Sequence, residues 1–132
     1  MNEKIKILIV EDECIFSMNL QFMLSDNGYE VTGKATNFYD AVKRAKIDMP
    51  DIALMDVYIK GDVTGIDTAD HLRKIFGIPS IFITANHDGS MEKKMYDIEP
   101  LAVLSKPLDE KKLYAALEKF RERRKLRMDI IA

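Results

Sequence analysis

Short runs of β-branched and aliphatic residues recur along the chain and predict buried strands. The first run, residues 5–10, is apolar at all but one position, which is typical of a strand covered on both faces in a parallel sheet. Similar runs occupy residues 29–35, 52–55, 78–84 and 101–104. The pattern therefore predicts a sheet of five strands.

Amphipathic segments separate the predicted strands. Apolar residues recur at helical spacing after the first strand and again near the C-terminus. Gly28 and Gly77 stand where helices end, while Asn37 and Asp109 stand where helices begin. Strand and helix thus alternate five times along the chain. Short connections in such a series predict an α/β fold, an open parallel sheet with helices on both faces.

Length and composition indicate one globular domain. The chain has 132 residues, of which 47% are hydrophobic and 32% charged. We expect a single domain over residues 1–132, with its core at about residues 4–120. Residues 121–132 are strongly basic and predict a helix end or the start of a linker.

Charge and residue usage exclude several classes of protein. Twenty Lys and Arg against 22 Asp and Glu give a net charge of -2, which disfavours direct nucleic-acid binding. Cys14 is alone, and no signal-peptide pattern precedes the first strand. The apolar runs are far shorter than the ~20 residues of a membrane span. We expect a cytoplasmic protein without membrane contact.

Polar residues follow four of the predicted strands. They are Glu11, Asp12 and Glu13 after the first strand, Asp56 after the third, Thr84 at the end of the fourth, where Ala85 follows it, and Lys106 after the fifth, where Pro107 follows it. In a parallel sheet these carboxyl ends lie at one edge, where ligands bind. We therefore expect these side chains to form one site.

The acidic residues of this edge suit a metal ion better than a nucleotide. The turn after the first strand has no glycine to bring its backbone close to phosphate. Glu11, Asp12 and Asp56 offer the oxygen ligands that Mg²⁺ prefers. Alternatively, these acids cap the helices that follow them.

A carboxylate beside Mg²⁺ can attack a phosphoryl group while nearby donors share its charge. Asp56, Lys106 and Thr84 fit these roles of nucleophile, cation and hydroxyl. A lysine beside acids can also be an ordinary surface ion pair. However, the Lys106–Pro107 bond restricts the backbone there and is a candidate cis peptide.

These motifs, in this order and spacing, resemble the receiver domain of two-component response regulators, including the chemotaxis type. The motifs are V-E-D-E at residues 10–13, M-D at 55–56, T-A at 84–85 and K-P at 106–107. The resemblance covers nearly the whole chain. It implies a (βα)5 flavodoxin-like fold and a phosphoacceptor signalling domain that catalyses only its own phosphorylation and dephosphorylation.

The resemblance also assigns roles to residues. It implies that Asp56 is the phosphoacceptor and that Glu11, Asp12, Asp56 and the backbone carbonyl of Tyr58 bind Mg²⁺. Thr84 matches the switch hydroxyl, and Ala85 and Lys106 complete the phosphoryl-binding set. Tyr58 and Asn86 match positions that tune the access of water, although Tyr58 can also be a simple loop aromatic.

Two features depart from the common receiver pattern. Val103 stands where receivers usually carry the Tyr or Phe that rotates with the switch hydroxyl. Residues 59–65 form a loop with two glycines that is longer than usual and lacks the common proline. These departures bear on the output partner rather than on the fold.

Three functions follow as hypotheses. The first is a receiver that accepts a phosphoryl group from a sensor histidine kinase or a histidine phosphotransfer protein and then switches its surface toward a downstream protein or a second copy of itself. The second is a docking module that acts without phosphorylation, which Val103 favours. The third is an aspartyl-phosphate phosphatase, but such enzymes carry D-x-D where this chain has Asp56, Val57 and Tyr58.

Overall fold

The computed structural model describes residues 4–85 and 88–131. Strands and helices alternate along it in the order β1 (Lys6–Val10), α1 (Cys14–Asp26), β2 (Glu30–Ala35), α2 (Phe38–Asp48), β3 (Ile52–Met55), α3 (Gly65–Phe76), β4 (Ser80–Thr84), α4 (Gly89–Asp97), β5 (Ala102–Ser105) and α5 (Glu110–Ile131). The strands form one parallel sheet in the order β2-β1-β3-β4-β5. The predicted α/β fold is confirmed. Its strand order reverses at β1, so a crevice is expected between the ends of β1 and β3.

Both faces of β1 are buried, as its apolar sequence predicts. Ile7 and Ile9 of β1 pack into a core cluster with α1 and α5. Leu8 and Val10 of the same strand point to the other face, into a cluster with α2, α3 and α4. All four side chains are fully buried, because successive residues of a strand face opposite sides and each side is covered by helices.

The predicted helix ends match the structure. The side chain of Asn37 accepts a hydrogen bond from the backbone N–H of Asp40 over 2.9 Å, which caps α2. Asp109 accepts one from the N–H of Lys111 over 3.0 Å at the start of α5. Gly77 ends α3 with φ at 69°, a left-handed conformation that suits glycine.

The basic C-terminal segment is helical. Helix α5 runs for 22 residues to Ile131, so the predicted core limit at residue 120 falls inside it. Residues 121–131 continue α5. In the described ranges, no helix combines the length and apolar character needed to cross a membrane.

Candidate functional site

Three carboxylates meet in the crevice between β1 and β3. The backbone N–H of Asp56 donates to the carbonyl of Val10 over 3.0 Å, which holds the ends of the two strands side by side. Glu11, Asp12 and Asp56 each place one oxygen so that all three lie within 4.8 Å of one another. Glu11 and Asp56 are only 4% and 6% exposed. This set of hard oxygen ligands fits a small divalent cation.

Lys106 crosses from the end of β5 to these acids. Its Nζ lies 3.1 Å from Asp56 Oδ2, 3.0 Å from Glu11 Oε2 and 2.7 Å from Glu13 Oε2. Its ammonium also lies 4.4 Å from the centre of the Phe16 ring, within the range of a cation–π contact. The Lys106–Pro107 peptide bond is cis. The lysine is thus held between β1 and β3 rather than extended into solvent.

The other oxygen of Asp56 is held by two donors. The hydroxyl of Thr84 donates to Asp56 Oδ1 over 2.8 Å, and the backbone N–H of Tyr58 donates to the same atom over 3.1 Å. Thr84 is completely buried at the end of β4. Both carboxylate oxygens of Asp56 therefore face donors that can also bind phosphoryl oxygens.

Burial and pairing change the acid–base properties of the site. Burial raises the pKa of Glu11 to about 7, against the lowering effect of hydrogen bonds from the Glu13 N–H and from Lys106. Desolvation acts to lower the pKa of Lys106. Its hydrogen bonds to Glu13, Glu11 and Asp56 outweigh that effect and raise the pKa above its ordinary value. The lysine therefore remains a cation at neutral pH.

Tyr58 connects this site to α4. Its backbone lies next to Asp56, whereas its ring is half exposed and its hydroxyl donates to Met91 Sδ over 3.0 Å. Met91 lies in the first turn of α4 and packs on the core beneath that helix. The tyrosine is therefore more than an isolated loop aromatic.

Two further predicted residues, Ala85 and Val103, lie at or near the ends of β4 and β5. Ala85 directly follows Thr84 and is partly buried. Val103 of β5 pairs with Phe82 of β4 and packs on the core cluster on the α4 side of the sheet. Asn86 lies outside the described residues.

Phe16 and Gly65 have no role in the sequence-based prediction, and Glu13 was expected at this edge without a specific partner. Glu13 belongs to the acidic run, and its charge was the available signal for pairing with Lys106. Phe16 resembles any apolar residue of an amphipathic helix. Gly65 begins α3 where an added Cβ would collide with the carbonyl oxygen of Asp56. In the sequence, the glycine itself is the one sign of this close approach between α3 and Asp56.

The fold and the site together define a signal receiver module, in which strand ends bring paired acids, an acceptor carboxylate, a hydroxyl and a lysine to one edge. The chain belongs to the response regulator receiver domain family, whose model matches residues 7–118. Members of this family are signalling modules of two-component systems rather than enzymes that turn over a separate substrate.

Individual relatives agree with this assignment. The transcriptional regulatory protein PdtaR of Mycobacterium tuberculosis is 33% identical over 121 residues, which cover 89% of this chain and 58% of that protein. The chain thus matches little more than half the length of that relative. The signal receiver domain of a modulated diguanylate cyclase from Desulfovibrio desulfuricans is 32% identical with a TM-score of 0.87, covering 95% of this chain and 99% of that one.

Proposed function

We propose that Asp56 accepts a phosphoryl group from a phosphohistidine of a sensor histidine kinase or a histidine phosphotransfer protein in the cytoplasm. The observation that carries this proposal is the environment of its carboxylate. Asp56 is nearly buried, yet one oxygen faces the Lys106 ammonium and the other faces the Thr84 hydroxyl. Among the acids of the described residues, Asp56 alone contacts both the Lys106 ammonium and the Thr84 hydroxyl.

In the transfer, a carboxylate oxygen of Asp56 attacks the phosphorus atom and forms a new O–P bond. The P–N bond to the donor imidazole breaks, and its electron pair remains on the imidazole nitrogen. Lys106 and Thr84 then hydrogen-bond to the phosphoryl oxygens, which share the negative charge of the transferring group. The movement of Thr84 from Asp56 to these oxygens is the switching event.

Glu11, Asp12, Asp56 and the backbone carbonyl of Tyr58 would hold the Mg²⁺ that receivers of this family use. The three carboxylates already supply oxygens within 4.8 Å of one another. Bound Mg²⁺ offsets negative charge on the phosphoryl oxygens. Because Lys106 contacts Glu11, Glu13 and Asp56, it balances the acids from the β5 side.

Intact-mass measurement after incubation with acetyl phosphate and Mg²⁺ tests the proposal. We expect one adduct of about 80 Da, the mass of a phosphoryl group. Asp56→Asn should abolish it, whereas Asp62→Asn, an exposed acid in the following loop, should not. Equal labelling of Asp56→Asn would show that the acceptor lies elsewhere.

Val103 favours one second function, a docking module that needs no phosphorylation. A valine cannot exchange a ring between buried and exposed positions, so the usual coupling of hydroxyl and aromatic is missing. The mass measurement separates the two functions. Complete absence of an adduct under these conditions would support the docking module.

A further inference from the structure

A cavity of about 450 Å³ lies at the edge of the sheet opposite Asp56. Its lining comes from the segments that precede β3, β4 and β5, from the end of α3 and from the C-terminal half of α5. Because the strands are parallel, these amino ends lie a full strand length from the acidic site. The cavity is therefore separate from the receiver chemistry.

The cavity combines an apolar floor with a basic rim. Its apolar lining includes Phe76, Ile78, Pro79, Leu101 and Phe120. Its charged lining consists of Arg73, Arg123, Arg124, Arg127 and Asp51. The cavity lining thus carries four guanidinium groups and one carboxylate, although the whole chain has a net charge of -2. An anion with an apolar part would match both surfaces.

Several of these arginine donors are available. Arg124 pairs with Asp51 over 3.2 Å, and Arg73 lies 3.9 Å from Glu99, whose side chain is 83% exposed. Within residues 4–85 and 88–131, Arg123 and Arg127 form no ion pair, and the buried Nε of Arg73 has no hydrogen-bond partner. Arg123 and Arg127 are exposed, so a ligand in the cavity can reach their donors.

We propose that this cavity binds a nucleoside phosphate, with the phosphate on the arginines and the base on the apolar floor. The planar, forked donors of arginine match phosphate oxygens in pairs. An aromatic side chain such as Phe76 suits the flat face of a base, whereas the Phe120 ring already carries the Arg124 guanidinium 5.5 Å from its centre. The volume falls in the range of small-ligand pockets, about 300–1,000 Å³. This site does not depend on phosphorylation of Asp56.

Titration of the full chain with AMP, followed by ¹⁵N NMR in EDTA, tests the proposal. EDTA removes metal that could bind phosphate at the acidic site. The amides of Gly77 and Leu101, which line the cavity, should shift. Arg123→Ala with Arg127→Ala should weaken AMP binding at least about tenfold, because charge-assisted hydrogen bonds are lost. The matched control is Lys119→Ala with Lys125→Ala, which removes the same charge from exposed positions of α5 outside the cavity and should change affinity less than about twofold.

Binding of inorganic phosphate, AMP and a short oligonucleotide shows which part of the ligand the cavity recognises and whether that ligand is free or part of a nucleic acid. Inorganic phosphate should bind at least about tenfold more weakly than AMP, because it leaves the apolar floor uncovered. If AMP binds as tightly as a short 5′-phosphorylated oligonucleotide, the ligand is a free nucleotide. If the oligonucleotide binds more tightly, the ligand is the phosphorylated end of a nucleic acid. Equal binding of phosphate and AMP, equal losses in both double variants, or no shift at millimolar AMP would each overturn the proposal.

Discussion

The first residue of α3, Gly65, lies against the backbone of Asp56 with no room for a side chain. A Cβ atom on Gly65 would collide with the Asp56 carbonyl oxygen and lie 2.8 Å from Val57 Cα. The Gly65 N–H donates to the Val57 carbonyl over 2.8 Å, which closes the loop after β3. The position of α3 and the position of the acceptor carboxylate are therefore coupled through backbone atoms that cannot move aside.

Gly65→Ala should destabilise the protein by about 2–3 kcal/mol, because the added methyl group forces backbone apart. Gly89→Ala is the matched control, since Gly89 is also the first residue of a helix but has open space around its Cβ position. Urea unfolding of both variants measures the difference. Equal stability of the two would show that the loop after β3 relaxes freely.

Asp12→Ala should reduce Mg²⁺ affinity at least about tenfold, because the site loses one of its three carboxylates. Asp62→Ala removes the same charge from the exposed loop after Asp56 and should leave the affinity within about twofold. Isothermal titration of the three proteins measures this. Unchanged affinity in Asp12→Ala would place the metal elsewhere.

Phosphorylation should be sensed without a rotating aromatic at position 103. We expect the Thr84 hydroxyl to move to the phosphoryl oxygens, and the signal to pass through residues 84–88 and α4, which Tyr58 contacts through Met91. Amide hydrogen exchange with and without beryllium fluoride should show changes between Thr84 and Met95, and smaller ones at residues 101–104. Changes confined to the loop after Asp56 would contradict this path.

Tyr29 should make the free energy of unfolding depend on pH in the alkaline range. Its hydroxyl donates to Glu118 Oε2 over 2.6 Å, and burial raises its pKa from 10.0 to about 12. The folded state thus retains the phenol proton more tightly than the unfolded state. The resulting stability is present below pH 10 and is lost as pH rises toward about 12.

Tyr29→Phe removes this hydrogen bond and its titration. We expect the variant to be less stable than the wild type by about 1 kcal/mol at pH 8, with a smaller difference at pH 11. Tyr96→Phe, on an exposed ring of α4, should change stability little at either pH. Chemical denaturation at both pH values measures the differences. A constant difference for Tyr29→Phe would contradict the assigned titration.

The hydrophobic pattern located β1, β3 and β4 most directly, because strands covered on both faces are apolar at nearly every position. In β2 and β5 only Ala35 and Leu104 are buried, so their apolar signal is weaker. The boundaries differ most at β4, which begins at Ser80 rather than at residue 78. Pro79 has no N–H to donate to a neighbouring strand, although its carbonyl accepts from Ala53.

The sequence by itself also placed Asp56, Thr84 and Lys106 at one edge, since the carboxyl ends of parallel strands must lie together. Only the tertiary structure decided that Lys106 pairs with Glu13, that Gly65 abuts Asp56, and that four arginines surround one cavity. Lys106 and Glu13 are far apart in the chain, as are Arg73 and the arginines of α5, while Gly65 meets Asp56 only because the loop between them folds back. Each relationship depends on distances of a few ångströms between packed elements, and local hydrophobic periodicity carries no information about such distances.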